Sequence, residues 1–261
     1  MNYKYLNVSS TDRVTTIELN RPEVMNAINP EMHEELQLAF DGFAADDEQF
    51  LCLVRGAGDR AFCAGSDLKA IAEADERQPY PENGYAGLIE RYHLNKPVIA
   101  AVDGFALGGG FEIALACDII IATTRSSFGL PEPLVGAVAL GGGVHRLSRQ
   151  IGLKQAMGMV LTADRVSATR GMQLGFVNEV VEVEEFDNCI DQWVESILRC
   201  APLSLAASKE AILRGLDEPS LADAITNQET YPAFYRWKRS EDATEGPKAF
   251  AEKRTPNWQG K

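Results

Sequence analysis

Histidine is the scarcest chemically versatile residue in this chain, with three copies (His33, His93 and His145), and none sits in a recognisable motif. A serine–histidine mechanism therefore has no framework. The five cysteines (Cys52, Cys63, Cys117, Cys189 and Cys200) are scattered and form no C-x-x-C pair. Zinc and thioredoxin-type chemistry are unsupported on that ground, and no metal is expected. The odd cysteine count, with no apolar leader in "MNYKYLNVSS", predicts a reducing, cytoplasmic setting. Basic residues are few: 25 Lys and Arg against 38 Asp and Glu, a net charge of −13. General binding to nucleic acid or to an acidic membrane needs a basic face and is not expected. No apolar run approaches the roughly 20 residues of a membrane-spanning helix.

What remains is the composition of a soluble globular protein, 45% apolar and 24% charged over 261 residues. Residues 14–19, "VTTIEL", alternate and are β-branched, so they read as a strand. Asn29-Pro30 offers an N-cap and a proline for the first helical turn. Met32, Leu36, Phe40 and Phe43 follow at helical spacing, which predicts an amphipathic helix over 30–45. His33 is placed on the surface of that helix, and His93 on another. Residues 50–56, 96–104 and 118–123 read as short apolar strands, 111–116 as a short helix, and a further helix starts at Asp67. The polar, proline-bearing stretch 75–84 reads as a mobile loop. After residue 152 the pattern is mainly helical, with one strand near 176–181. A soft boundary near Arg199 divides a core over 1–199 from a helical region over 200–261. Strands alternating with helices give the α/β class.

Two motifs mislead. "LVRGAGDRA" outlines a dinucleotide-binding turn, but Gly65 follows too soon for the helix that such a turn must open. Ser66 lies in A-G-S-D-L, which is not the G-x-S-x-G nucleophile elbow. The informative stretches are "RAFCAGSDLK" and "GFALGGGFEIALACD". Each runs from a strand through glycine into a helix start, where backbone N–H groups lie free. Two such turns in one domain can aim two donors at one oxygen, the design of an oxyanion hole. Glu112 follows the second glycine cluster, and Glu132 is bracketed by Pro131 and Pro133. Two carboxylates held at one anion site suit acid–base work on water. By spacing alone, Glu112 is equally a helix residue paired within its helix, and Glu132 an exposed loop residue.

In order and wording these segments resemble the crotonase (enoyl-CoA hydratase/isomerase) family. The matching pieces are "LNRPEVMNAIN" (19–29), "AFCAGSDLK" (61–69), "NKPVIAAVDGFALGGGFEIALACDIIIA" (95–122) and "SFGLPEPLVG" (127–136). Further on come "GGGVHRLSRQIG" (141–152), "MVLTADRVSA" (159–168), "GFVNEVV" (175–181) and the tail from 240 to 261. Within the family the wording is most similar to that of the carnitinyl-CoA dehydratases. The resemblance implies a spiral of β-β-α units, two sheets near right angles, and a C-terminal helical part that builds trimers or hexamers. It implies an acyl-CoA thioester as substrate and no separate cofactor, coenzyme A being part of that substrate.

Carried over residue by residue, the oxyanion donors are the backbone N–H groups of Ser66 and Gly109, the Ser66 side chain being incidental. Glu112 and Glu132 match the paired glutamates of family members that hydrate double bonds. Of the two, Glu112 is favoured as the water base and Glu132 as the donor of the α-proton, the alternative being that the pair shares both steps. Asp67 and Lys69 fall where the ribose and phosphates of coenzyme A lie, and Val24 and Ala27 where adenine and pantetheine are received. Ala64, Gly108, Leu130 and Pro131 complete the substrate contacts. Phe250 and Lys253 match a patch that reaches a neighbouring subunit's ligand. Where many hydratases read I-P-G-A-G-G this chain reads V-A-L-G-G-G (138–143), on the acyl side of the pocket. Phe111, Leu130, Tyr80 and Tyr85 are placed where acyl-group shape is set. The rivals within the family are an isomerase, a decarboxylase and a thioester hydrolase. A non-catalytic binding protein of the same fold is the rival outside enzyme chemistry.

Overall fold

A computed structural model of the chain describes residues 3–73 and 79–261. Its strands are β1 (Leu6–Thr11), β2 (Val14–Leu19), β3 (Leu51–Gly56), β4 (Ala61–Cys63), β5 (Val98–Val102), β6 (Phe105–Leu107), β7 (Ile119–Thr123), β8 (Ser127–Gly129), β9 (Val166–Ser167) and β10 (Glu179–Val181). The helices of the core are α1 (Pro30–Ala45), α2 (Leu68–Glu73), α3 (Gly109–Ala116), α4 (Gly143–Gln150), α5 (Leu153–Thr162), α6 (Ala168–Leu174) and α7 (Phe186–Leu198). After them come α8 (Pro202–Gly215), α9 (Leu221–Asn227), α10 (Pro232–Lys238) and α11 (Glu241–Glu252).

Six strands form one sheet in the order β1-β2-β3-β5-β7-β10, parallel except for the β1–β2 hairpin. Its central strands read as unbroken apolar runs because both faces are covered. Cys52, Val54, Val98, Ala100, Ile120 and Ala122 point into the main core with α1 and α3. Their neighbours Leu51, Leu53, Ile99, Ala101 and Ile121 point the other way, against Phe186, Cys189 and Ile190 of α7. The two-residue period of a strand makes this division.

Four short strands form the second sheet, in the order β4-β6-β8-β9. β4, β6 and β8 are parallel, so their C-terminal ends lie side by side. This arrangement matters most for function: adjacent parallel strand ends are where α/β proteins gather binding groups.

The α1 helix runs over the expected residues, with the Asn29 side chain accepting from the Met32 N–H at 2.9 Å and Pro30 in the first turn. β1, β8 and β9 were not expected, whereas β4 and β6 are the strands read ahead of the two glycine turns. The short strands of the second sheet pair through two to three residues each, too few to leave a periodic signature. The helix starting near Asp67 is α2, and 79–84 is irregular as expected. Residues 75–78 of the expected loop lie outside the described residues. Among the described residues no helix is long and apolar enough to cross a membrane.

Candidate functional site

Each of the three parallel strand ends delivers one segment to the same place. β4 runs out through Ala64, Gly65 and Ser66. Gly65 has a φ of +91°, a left-handed conformation that a Cβ would strain. A Cβ there would also lie 3.1 Å from the Gly109 nitrogen, so the two glycine turns are in contact. β6 runs out through Gly108, whose N–H donates to the Gly129 carbonyl at 2.9 Å, into the first turn of α3. β8 runs out through Leu130 and Pro131 to Glu132, which opens a 3-10 turn ending at Val135.

Ile28 N–H donates to the Gly65 carbonyl and Asp67 N–H to the Ile28 carbonyl, at 2.8 and 2.9 Å. This pairing turns the Ser66 N–H to the other side. The Gly109 N–H belongs to the first turn of α3, where no intrahelical acceptor exists. Among the described residues neither amide donates to a protein acceptor.

Glu112 sits in the first turn of α3 and is only 3% exposed. Its Oε1 accepts from the Gly143 N–H, at the start of α4, at 2.8 Å. The glycines 141 and 143 are what let α4 approach. A Cβ on Gly143 would stand 2.9 Å from Glu112 Cγ, and one on Gly141 would overlap the carboxylate. Burial raises the Glu112 carboxyl, an effect only partly offset by the Gly143 N–H; nearby Glu132 raises it further and Arg146 opposes, leaving it at about 7. The carboxyl is thus poised between its two protonation states near neutrality.

Glu132 flanks the same spot. Its Oε1 lies 3.0 Å from where a Gly108 Cβ would be. Its Oε2 is buried with no hydrogen-bond partner among the described residues. Leaving a buried polar atom unpaired costs on the order of 1–3 kcal/mol. Burial raises this carboxyl too. Leu130 is fully buried, its Cδ2 3.1 Å from the Gly143 Cβ position. Ser66, Gly108, Gly109, Glu112, Leu130, Pro131 and Glu132 therefore converge.

The other expected contacts form a rim or lie apart. Val24 ends a 3-10 turn and Ala27 follows it, and this segment is tied to the β4 exit by the Ala64 N–H donating to the Met25 carbonyl at 3.0 Å. Asp67 is held by Arg21 at 3.1 Å and accepts from the Ala70 N–H at 3.2 Å. Burial acts to raise the Asp67 carboxyl, but those partners outweigh it and hold it below its usual value. Arg21, which orders this loop through the Ala27 carbonyl as well, was not expected. Lys69 is exposed and lies 3.9 Å from Glu73. Phe250 and Lys253 are not brought to the cluster. They close α11, which packs on α10, and Phe250 is 87% exposed.

Three placements differ from expectation. His33 is buried, not on the surface: its Nδ1 accepts from the Ala86 N–H at 3.0 Å, and burial lowers its pKa to about 4, so it is neutral with its proton on Nε2. His93 is exposed in a turn, not a helix. Phe111 does not shape a pocket: its ring packs between Phe128 and Phe176 at 5.3 and 5.1 Å, inside the core. Tyr85, expected only where acyl-group shape is set, stands against Gly109. Arg146, on the α4 face near Glu112, donates to the Ile89 carbonyl at 2.6 Å, and no sequence signal pointed to it.

Comparison with known proteins gives one consistent result. The profile of the family described as enoyl-CoA hydratase/isomerase matches residues 9–261. A carnitinyl-CoA dehydratase of Proteus mirabilis (strain HI4320) is 40% identical over 259 residues, covering 98% of both chains. A protein of the same name from Salmonella enteritidis PT4 is 38% identical over 262 residues, again covering 98% of both. The structure is similar to the crystal structure of an enoyl-CoA hydratase from Mycobacterium tuberculosis H37Rv. The TM-score is 0.91 at 37% identity, covering 99% of this chain and 100% of that one. An enoyl-CoA hydratase from Mycobacterium marinum gives a TM-score of 0.91 at 39% identity, with the same coverage.

Proposed function

This chain belongs to the enoyl-CoA hydratase/isomerase family, and from that premise we propose that its paired glutamates add water to, or remove it from, the α,β double bond of an acyl-CoA thioester. The observation that carries the reading is Glu132 Oε2, a buried carboxylate oxygen without a partner among the described residues, beside a second buried carboxyl held near 7. A protein meets those costs where the groups have work to do.

In this reading the thioester oxygen receives the N–H groups of Ser66 and Gly109. As water attacks the β-carbon, negative charge moves onto that oxygen as an enolate. Two fixed dipoles in a water-poor site stabilise it by several kcal/mol, on the order of 3 for each donor. Glu112 takes the proton of the attacking water, and Glu132 delivers the proton to the α-carbon. Run backwards, the same steps remove water. The glycine at 108 leaves the backbone bare beside the Glu132 carboxylate, where the thioester approaches. Val24, Ala27, Ala64, Asp67 and Lys69 line the approach of the coenzyme A portion, which is part of the substrate; the reaction draws on no further cofactor. The likeness to carnitinyl-CoA dehydratases supports a short acyl group of the carnitinyl kind.

Crotonobetainyl-CoA, crotonyl-CoA and 3-hydroxybutyryl-CoA separate the alternatives. The expected result is loss of the conjugated thioester absorbance with the CoA ester intact, fastest on crotonobetainyl-CoA. Because Glu112 must be ionised to accept a proton, the hydration rate is expected to fall as pH drops below about 7. Release of free CoA, or a double bond that migrates without hydration, would overturn the reading.

The region 200–261 is proposed as the assembly face of a homotrimer or hexamer. Ile212, Leu216, Leu221 and Ile225 of α8 and α9 and their linker are exposed at 65, 74, 77 and 57%, a density of apolar surface that suits a partner. Phe250 and Lys253 would then meet a neighbouring subunit's ligand. Light scattering is expected to give three or six subunits, and a monomer would remove this proposal.

A further inference from the structure

The turn that carries Tyr85 takes no part in the acid–base reading, yet it is built under strain. Gly84, Ala86 and Gly87 have φ values of +73°, +55° and +59°, and for alanine that conformation is unfavourable. Helix α1 holds the turn in place. The Asn83 N–H donates to Gln37 Oε1 at 3.1 Å, and the Ala86 N–H to His33 Nδ1 at 3.0 Å. Gly87 packs so closely on the α1 backbone at Gln37 that a Cβ would overlap it.

The result is one fixed ring. Tyr85 is 2% exposed and stands edge-on to His33, with centroids 4.5 Å apart. Its hydroxyl touches both segments that carry the proposed oxyanion amides. Ser66 Oγ donates to Tyr85 Oη at 3.2 Å. On the other side Tyr85 Oη occupies the position that a side chain on Gly109 would fill. The Ser66 side chain is therefore not incidental in this chain, as the family resemblance implied. It is half of a bridge.

We propose that Tyr85 is a positioning residue: its hydroxyl, bonded to Ser66 Oγ and seated against Gly109, fixes the spacing of the two amides that receive the thioester oxygen. The inference rests on the hydratase reading above. An oxyanion hole acts only if its donors are set before charge develops, so a loosened pair loses turnover rather than ground-state binding.

The test is a double-mutant cycle of Tyr85→Phe and Ser66→Ala in the full-length protein, assayed on the enoyl-CoA substrate. Both changes remove the same hydrogen bond and leave ring and backbone in place. Each single variant is expected to lower kcat by roughly 5- to 10-fold, the size of one neutral hydrogen bond, with KM little changed. The double variant is expected to match the singles, because the bond can be lost only once. Binding of butyryl-CoA, which forms no enolate, is expected to stay as in the parent. A kcat for Tyr85→Phe within about twofold of the parent would overturn the proposal, as would losses that multiply in the double variant. Full activity in Glu112→Gln and Glu132→Gln sinks the hydratase reading and this inference with it. Inactivity in those two beside a silent Tyr85→Phe sinks the inference alone.

Discussion

Glu112→Gln and Glu132→Gln are each expected to lower kcat by at least about 100-fold, the range for general acid–base groups. Glutamine keeps the shape of the side chain and can still accept from the Gly143 N–H, but it neither takes nor gives the proton. KM is expected to move little, because neither carboxylate is assigned to hold coenzyme A. Unchanged turnover in both variants would remove the mechanism. Glu112→Gln has a second, opposite effect. The unfolded carboxyl ionises near 4.5 and the folded one near 7, so the parent loses stability as pH rises through that window. The amide has no such penalty. The variant is expected to match the parent at about pH 4 and to exceed it by roughly 3 kcal/mol at about pH 8. Denaturant unfolding at the two pH values reads this, and equal stability at the higher pH would show that Glu112 is not ionised against its surroundings.

The second large effect concerns Gly141. This glycine has no left-handed φ, so alanine meets no backbone obstacle there. Its methyl group would instead overlap the Glu112 carboxylate. The end of a side chain can yield where backbone cannot, so the carboxylate turns away and its bond from the Gly143 N–H is lost. Gly141→Ala is expected to cost about 100-fold in kcat, close to the loss of the carboxylate itself, with the melting temperature lowered by a few degrees for the one buried hydrogen bond lost. Full activity would show that Glu112 tolerates displacement and is not the base. Gly109→Ala makes the contrast. A methyl there meets the ring of Tyr85, which is buried and cannot swing aside, so stability is expected to fall along with activity.

Much of the site was legible residue by residue. Glycine beside a strand end, a glutamate just inside a helix and a glutamate between two prolines each carry a local reason that a sequence exposes. The partners of those residues were not legible. Gly143 lies 31 positions from Glu112, and Tyr85 lies 19 from Ser66. Neither pair leaves a periodic or compositional trace. His33 shows the same limit: on a helix with two apolar neighbours per turn, its burial depends on the Ala86 turn that packs over it.

The sequence by itself determined the α/β class, the α1 helix with its Asn29 cap, and the residue types able to bind an oxyanion and move protons. These follow from short-range preferences: capping, hydrophobic period and the conformations that only glycine adopts freely. Only the tertiary structure decided that β4, β6 and β8 lie adjacent and parallel, so that three distant loops end at one point. It alone decided that Glu112 titrates near neutrality. Strand order and the exclusion of water arise from packing between segments far apart in the chain, and electrostatic energies depend on that exclusion more than on which residues are present.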